Sequence, residues 1–201
     1  MTCPEHIEKT RFFNAKARAW SEGVYVQRQR QCAERLLQRY RISPSGVVID
    51  IGCGTGVLTS ILTTTASIII SVDPSLEMLQ MLQESNNFSR CFPVLCFAEE
   101  LPFKSSSADW IVVYSAFPHF TDKSGSLMNF LRVLRPGGRV LIFHTSSRLE
   151  INKLHATLAP PLCYDLLPPI HELIKMCTTI GLHPLILEDT EQCYVFLAQK
   201  T

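Results

Sequence analysis

The chain has 201 residues, 46% of them hydrophobic, and its 19 Lys and Arg against 18 Asp and Glu leave a net charge of +1. That length carries one full-sized core, the apolar share argues against disorder, and the charge balance argues against a protein that tracks nucleic-acid phosphates. Its apolar runs are strand-sized, well short of the ~20 residues a membrane span requires, so neither nucleic acid nor membrane is an expected partner.

The N-terminus, "MTCPEHIEKTRFFNAKARAW", scatters charge along its length and has no apolar stretch of the signal-peptide kind, so the expected location is the cytoplasm. Eight cysteines stand at 3, 32, 53, 91, 96, 163, 177 and 193 without a CxxC among them, which points to reduced thiols and not to a zinc knuckle. From Phe12 to Tyr40 the chain reads as an aromatic arm leading into a helix, with Cys32, Leu36 and Leu37 on its apolar stripe. "SPSG" breaks that helix. "VVIDI" then forms a first strand, followed by a glycine turn and the helix "GVLTSILTTT". "SIIISVD" is a second strand and "PSLEMLQMLQES" a helix whose Pro sits harmlessly in the first turn. "CFPVLCF" is a third strand, "DWIVVYS" a fourth, "SGSLMNFLRVL" a helix and "GRVLIFH" a fifth strand. Ser147 with Glu150 then makes a capping box that starts a helix near Arg148. "HELIKMCTTIG" is the last helix, and strands around "HPLILED" and "QCYVFLAQ" close as a hairpin at the sheet edge.

Continuous apolar strands alternating with helices require a parallel sheet covered on both faces. The expected fold class is therefore α/β: a doubly wound, Rossmann-like, seven-stranded sheet with an antiparallel C-terminal hairpin, as one domain over 1–201.

Such sheets bind ligands at the carboxyl ends of their strands, at the switch point. The first strand ends in "DIGCGTG", where Gly52 and Gly54 let backbone approach a ligand and Gly56 opens the next helix. A tight turn with no ligand would use the same glycines. Asp73, however, ends the second strand, where a carboxylate can accept both hydroxyls of a ribose. The spacing is GxGxG, with Val57 where a dinucleotide fingerprint places its third Gly. Asp50, two positions before the first Gly, would repel a pyrophosphate and suit a cationic amine, directly or through water. A ribose and an ammonium with no phosphate describe S-adenosylmethionine, and disfavour a nicotinamide dinucleotide.

"VVIDIGCGTGVLT", "SVDPSLEML", "AEELPF", "ADWIVVYSAF" and "LRVLRPGGRVLI" together resemble the motifs of class I S-adenosylmethionine-dependent methyltransferases. The resemblance lies with the small-molecule branch that includes the ubiquinone/menaquinone C-methyltransferases, and covers nearly the whole chain. It implies methyl transfer to a small-molecule acceptor with S-adenosyl-L-methionine as cofactor. It also implies backbone contacts from Gly52, Cys53 and Gly54 to the methionyl part, the ribose on Asp73, and Pro74 and Met78 over the adenine. Ala98 and Glu99 would meet the adenine edge, and Ser115 the methionine end. Phe97 stands where many relatives carry an Asp that accepts from the adenine amino group, so the adenine is expected to be held by stacking and backbone bonds, with Glu99 a candidate substitute acceptor. "FFNAKARAW" resembles the family's F-x-x-x-A-x-x-W lead-in, so residues 1–26 are expected to form a lid, with Trp20 facing the substrate. Plain packing of Phe12, Phe13 and Trp20 is the alternative.

Methyl transfer from a sulfonium is an in-line displacement, so the protein must align the reactants, exclude water and, where the nucleophile carries a proton, supply a base. Two histidines are placed to act as that base. His119 stands among Phe117, Pro118 and Phe120, which are expected to form a dry wall at the substrate, with Phe117 and Phe120 as plain core the alternative, and His144 ends the fifth strand. The segment 146–168 is expected to be a substrate cap. On its helix Ile151, Leu154 and Leu158 form the buried stripe, and Arg148, Asn152 and His155 run beside it toward the substrate. Arg148 would suit an anionic acceptor. The alternatives are a solvated flank for that stripe and a loop-carbonyl bond for His119. His144 and His155 with Asp165 or His171 have metal-ligand chemistry, but no metal is expected. Two other functions stay open: a non-catalytic S-adenosylmethionine-binding regulator, and an RNA or protein methyltransferase. The second is disfavoured by the charge balance and by "SAFP" where base N-methyltransferases carry Asn/Asp-Pro-Pro-Tyr/Phe.

Overall fold

A computed structural model describes residues 3–21, 24–85 and 89–201. Among the described residues seven strands make one sheet: β1 (Gly46–Ile51), β2 (Ala66–Asp73), β3 (Cys91–Leu95), β4 (Ala108–Tyr114), β5 (Leu134–His144), β6 (Leu182–Asp189) and β7 (Tyr194–Lys200). Their spatial order is β3-β2-β1-β4-β5-β7-β6. The first five run parallel, and β7 is antiparallel to both β5 and β6. The expected fold class is the observed one. The hairpin closes the sheet with its second strand inside and β6 at the edge. The direction of strand addition reverses between β1 and β4, so the switch point lies at the glycine turn.

The apolar runs are continuous because both faces of the sheet are covered. Alternate residues of β1 serve different layers. Ile49 and Ile51 join Ile111, Val113, Phe130 and Leu173 on the side of α5 (Lys123–Val133) and α7 (Ile170–Ile180). Val48 joins Val112, Ala33, Leu58 and Leu62 on the side of α2 (Val24–Arg39) and α3 (Val57–Leu62). β5 starts four residues before the expected "GRVLIFH". Val133 ends α5, Pro136 cannot continue a helix, and Leu134 already pairs with Ala108 of β4.

The aromatic arm is itself a helix, α1 (Pro4–Ser21), packed against α4 (Leu76–Ser85). Of the lid expected over 1–26, residues 1, 2, 22 and 23 lie outside the described ones. The segment after β5 contains α6 (Arg148–His155), started by the expected capping box: Ser147 Oγ accepts the Glu150 N–H, and the Glu150 carboxylate accepts the Ser147 N–H.

Candidate active site

The turn after β1 is held from beneath and from the side. Gly52 and Cys53 donate their N–H groups to the Val72 carbonyl at 2.8 and 3.0 Å. The Gly54 N–H donates to Asp73 Oδ2 at 2.9 Å, and the Ser75 N–H to Asp73 Oδ1 at 2.9 Å. One carboxylate therefore fixes both the glycine turn and the turn into α4. Gly52 has φ +67°, and a Cβ there would lie 2.4 Å from the Cβ of Ala116, so the turn packs directly on the end of β4. Gly54 has φ +53° and no atom within 4 Å of a would-be Cβ, because it borders open space.

That space is a cavity of about 380 Å³, within the ~300–1,000 Å³ usual for small-ligand sites. Of the residues expected around a cofactor, Gly52, Cys53, Gly54, Asp73, Pro74, Met78, Ala98, Glu99 and Ser115 all line it. Asp50 does not. It is fully buried behind the turn, where Oδ2 accepts from Thr59 Oγ1 at 2.7 Å and Oδ1 has no partner among the described residues. Burial pushes its pKa up to about 7 and that of Asp73 to about 6. Glu99 lines the cavity, but its Oε1 is occupied by the Thr121 and Asp122 N–H groups at 2.9 and 3.2 Å, so it anchors the loop after β4. Phe97 stacks on His6 of α1, with centroids 4.2 Å apart.

The opposite wall comes from α1, the loop after β4 and α6. His119, His144 and His155 all line the cavity, as do Phe13, Trp20, Ile151 and Leu154. His119 Nδ1 bonds Asp165 Oδ2 at 2.7 Å, and Asp165 Oδ1 meets Lys9 Nζ at 2.6 Å. Burial lowers the His119 pKa against the opposing pull of Asp165. For Asp165 burial pushes upward, but its bonds to His119 and Lys9 outweigh it and hold the carboxyl below its usual range. His144 Nε2 is buried without a partner among the described residues, and burial brings its pKa down to about 3. His155 Nδ1 bonds the Asp165 carbonyl.

Four expectations are corrected here. Phe117 is fully buried in the core and is not part of the lining. Arg148 turns away from the cavity to pair with Asp189 Oδ2 at 2.9 Å. Asn152 brackets Leu167 instead, donating to its carbonyl at 3.1 Å and accepting its N–H at 2.8 Å. The apolar stripe of α6 closes on the core only in part: Ile151 packs against it while lining the cavity, and Leu154, also in the lining, is 61% exposed. Among the described residues no group of three His, Cys, Asp or Glu is placed to hold a metal ion. Sequence reasoning misses the pairing of Lys9 with Asp165, the polar centre of this wall. The two lie 156 positions apart in the chain, and no local pattern joins them.

A family model described as "Methyltransferase domain" matches residues 49–142. An uncharacterized methyltransferase of Mycobacterium tuberculosis (strain ATCC 25618 / H37Rv) is 37% identical over 99 residues, 49% of this chain; the alignment spans 40% of that protein's length. The ubiquinone/menaquinone biosynthesis C-methyltransferase of Idiomarina loihiensis is 30% identical over 172 residues, covering 75% of this chain and 67% of that protein. Among solved structures, the DhpI–SAH complex shares the fold with a TM-score of 0.78 at 16% identity, covering 99% of this chain and 98% of that one.

Proposed function

Since the chain belongs to the S-adenosylmethionine-dependent methyltransferases, we propose that it transfers a methyl group from S-adenosyl-L-methionine to a small-molecule acceptor in the cytoplasm. The observation that carries this is the cavity that joins the Gly52–Gly54 turn and Asp73 at one end to His119 at the other. The residues fit such a cofactor: the open space beside Gly54 admits a ligand against bare backbone, and the Asp73 carboxylate borders the same space.

The cofactor supplies a methyl group on a cationic sulfur, and the rest falls to the chain. Gly52, Cys53 and Gly54 present backbone to the methionyl part, and Asp73 accepts from the ribose hydroxyls. Pro74, Met78 and Ala98 enclose the adenine, and Ser115 faces the methionine end. Asp50 acts on an ammonium only through the turn in front of it. Residues of the N-terminal lid (Phe13, Trp20) and of the cap (Ile151, Leu154) exclude water from the acceptor side. His119 takes the acceptor's proton on Nε2 as the methyl arrives. His144 is too weakly basic to share that role, with a pKa of about 3.

The acceptor this wall suits is uncharged before reaction, with an ionisable proton at the attacking atom. An anionic acceptor loses its rationale, because Arg148 pairs with Asp189 and Lys9 with Asp165. A cavity of about 380 Å³ also suits a small molecule better than an RNA or a protein. The cytoplasmic reading draws on the cysteines, all eight of which are free.

Labelled S-adenosylmethionine incubated with the protein and a small-molecule extract should pass label to a low-mass product, while calorimetry should show binding of the cofactor and of S-adenosylhomocysteine but not of NAD or NADP. Cofactor binding with no transfer to any extract would favour the regulatory reading, and tight NAD binding alone would overturn the assignment.

A further inference from the structure

Asp165 is 3% exposed and Lys9 5% exposed. A buried ion pair is a poor stabiliser, because desolvation of both charges roughly cancels their attraction. This one does more than join two charges. Asp165 Oδ1 meets Lys9 Nζ at 2.6 Å, Asp165 Oδ2 meets His119 Nδ1 at 2.7 Å, and Lys9 Nζ also donates to the His119 carbonyl at 3.1 Å. A carboxylate only accepts, so the shared proton sits on Nδ1 and the Nε2 lone pair is left free. Nε2 has no bonding partner among the described residues, and its ring lines the cavity.

Lys9 belongs to α1, in which Lys9 and Ala17 are the buried positions among the described residues. The helix thus covers the cavity on a narrow footing, and its buried charge is shared between Glu5 of the same helix, at 2.8 Å, and the His119–Asp165 pair. Resting on the methyl-transfer reading above, we propose that Asp165 is the positioning residue of His119 and that Lys9 couples this pair to α1, so that His119 becomes a competent base only while α1 covers the cavity.

Electrostatics gives the direction. Around His119 stand Lys9 and Glu5 of α1, Asp165, His155 of α6, His144 of β5, Lys123 of α5 and Glu99 before the loop. Lys123 is engaged with the Pro118 and Phe120 carbonyls, and Glu99 with two backbone N–H groups. With α1 down, Lys9 offsets the charge of buried Asp165, since its second partner, Glu5, is 39% exposed and screened by water, and the ring holds a proton loosely. With α1 lifted, Asp165 faces the ring unneutralised and water reaches it, so the imidazole keeps its proton and cannot accept another. Closure therefore readies the base and seals the chamber in one movement.

The test uses the full chain with nitrogen-labelled histidine, followed by NMR across pH, with the His119 signals assigned through His119→Gln. The wild type should show the Nδ1-protonated tautomer. Lys9→Met should raise the His119 midpoint and speed amide exchange along α1 at least about tenfold. Asp165→Asn should lower the midpoint and release the tautomer. If that variant does not fold, Lys9→Met decides alone. An Nε2-protonated wild type, or a Lys9→Met midpoint that does not move, would overturn the proposal. S-adenosylhomocysteine calorimetry on the wild type keeps the two readings apart: binding with no midpoint shift sinks this proposal alone, whereas the shift without binding sinks the methyl-transfer reading and with it the role of His119 as base, leaving only the coupling of Lys9 to the His119–Asp165 pair.

Discussion

Two carboxylates with raised pKa values make the site respond to acid in two opposite ways. Burial pushes the Asp73 pKa up to about 6, above the ordinary carboxylate range. Hydroxyl donors bind its ionised form, so affinity for S-adenosylhomocysteine should weaken as pH falls through about 6, which calorimetry between pH 8 and pH 5 would register. Asp50 is raised to about 7. Its folded pKa lies above its unfolded one, so the stability it contributes is present below about pH 4 and lost as pH rises through about 7. Asp50→Asn should remove that slope from unfolding curves and leave the fold intact. The glycines separate just as clearly. Both Gly52 and Gly54 hold positive φ, which costs a side-chain-bearing residue ~1–2 kcal/mol. Only Gly52→Ala adds a collision with Ala116, so its denaturant midpoint should fall well below that of Gly54→Ala. Gly52, Gly54 and Asp73 were legible in the sequence because strand ends and turns are local. Asp50 was half legible: its place before the turn was evident, but its seclusion behind the turn depends on Thr59 packing back from α3.

Among the elements, α6 shows where sequence pattern stops. Its start was readable, because a capping box is contained in four residues, and Ser147→Ala should cost about 1 kcal/mol in denaturant unfolding. The direction of its faces was not readable. An apolar stripe closes a core or lines a chamber with the same spacing, and here Ile151 does both while Leu154 does only the second. The polar stripe beside it was right in spacing and divided in destination. Arg148 goes to Asp189 near the hairpin, Asn152 to Leu167, and only His155 reaches the cavity. Partners 15 to 41 residues away made those choices. In α1 the aromatic residues were readable, and Phe13 and Trp20 line the cavity, but the polar grip of Lys9 was not, because its partner lies beyond β5.

At the scale of the molecule, alternating apolar strands and helices were enough to read the sheet, since burial on both faces leaves few other arrangements. The place of β7 between β5 and β6 has a consequence for how the protein is made. A ribosome delivers β6 before β7, yet among the described residues β6 pairs with no strand but β7, from Leu182↔Lys200 to Asp189↔Tyr194. Until residue 200 has emerged, the outer edge of β5 stays open along Arg139–His144, the stretch that β7 covers. Every earlier nascent chain therefore carries a long apolar strand edge that can pair with a neighbour's. A chain stopped after Asp189 should aggregate on release although the cavity wall at the glycine turn is complete in it, and sedimentation of that fragment beside the full chain would show the difference. Vectorial synthesis can thus prepare the binding turn early, but the sheet that supports it is sealed by its last strand.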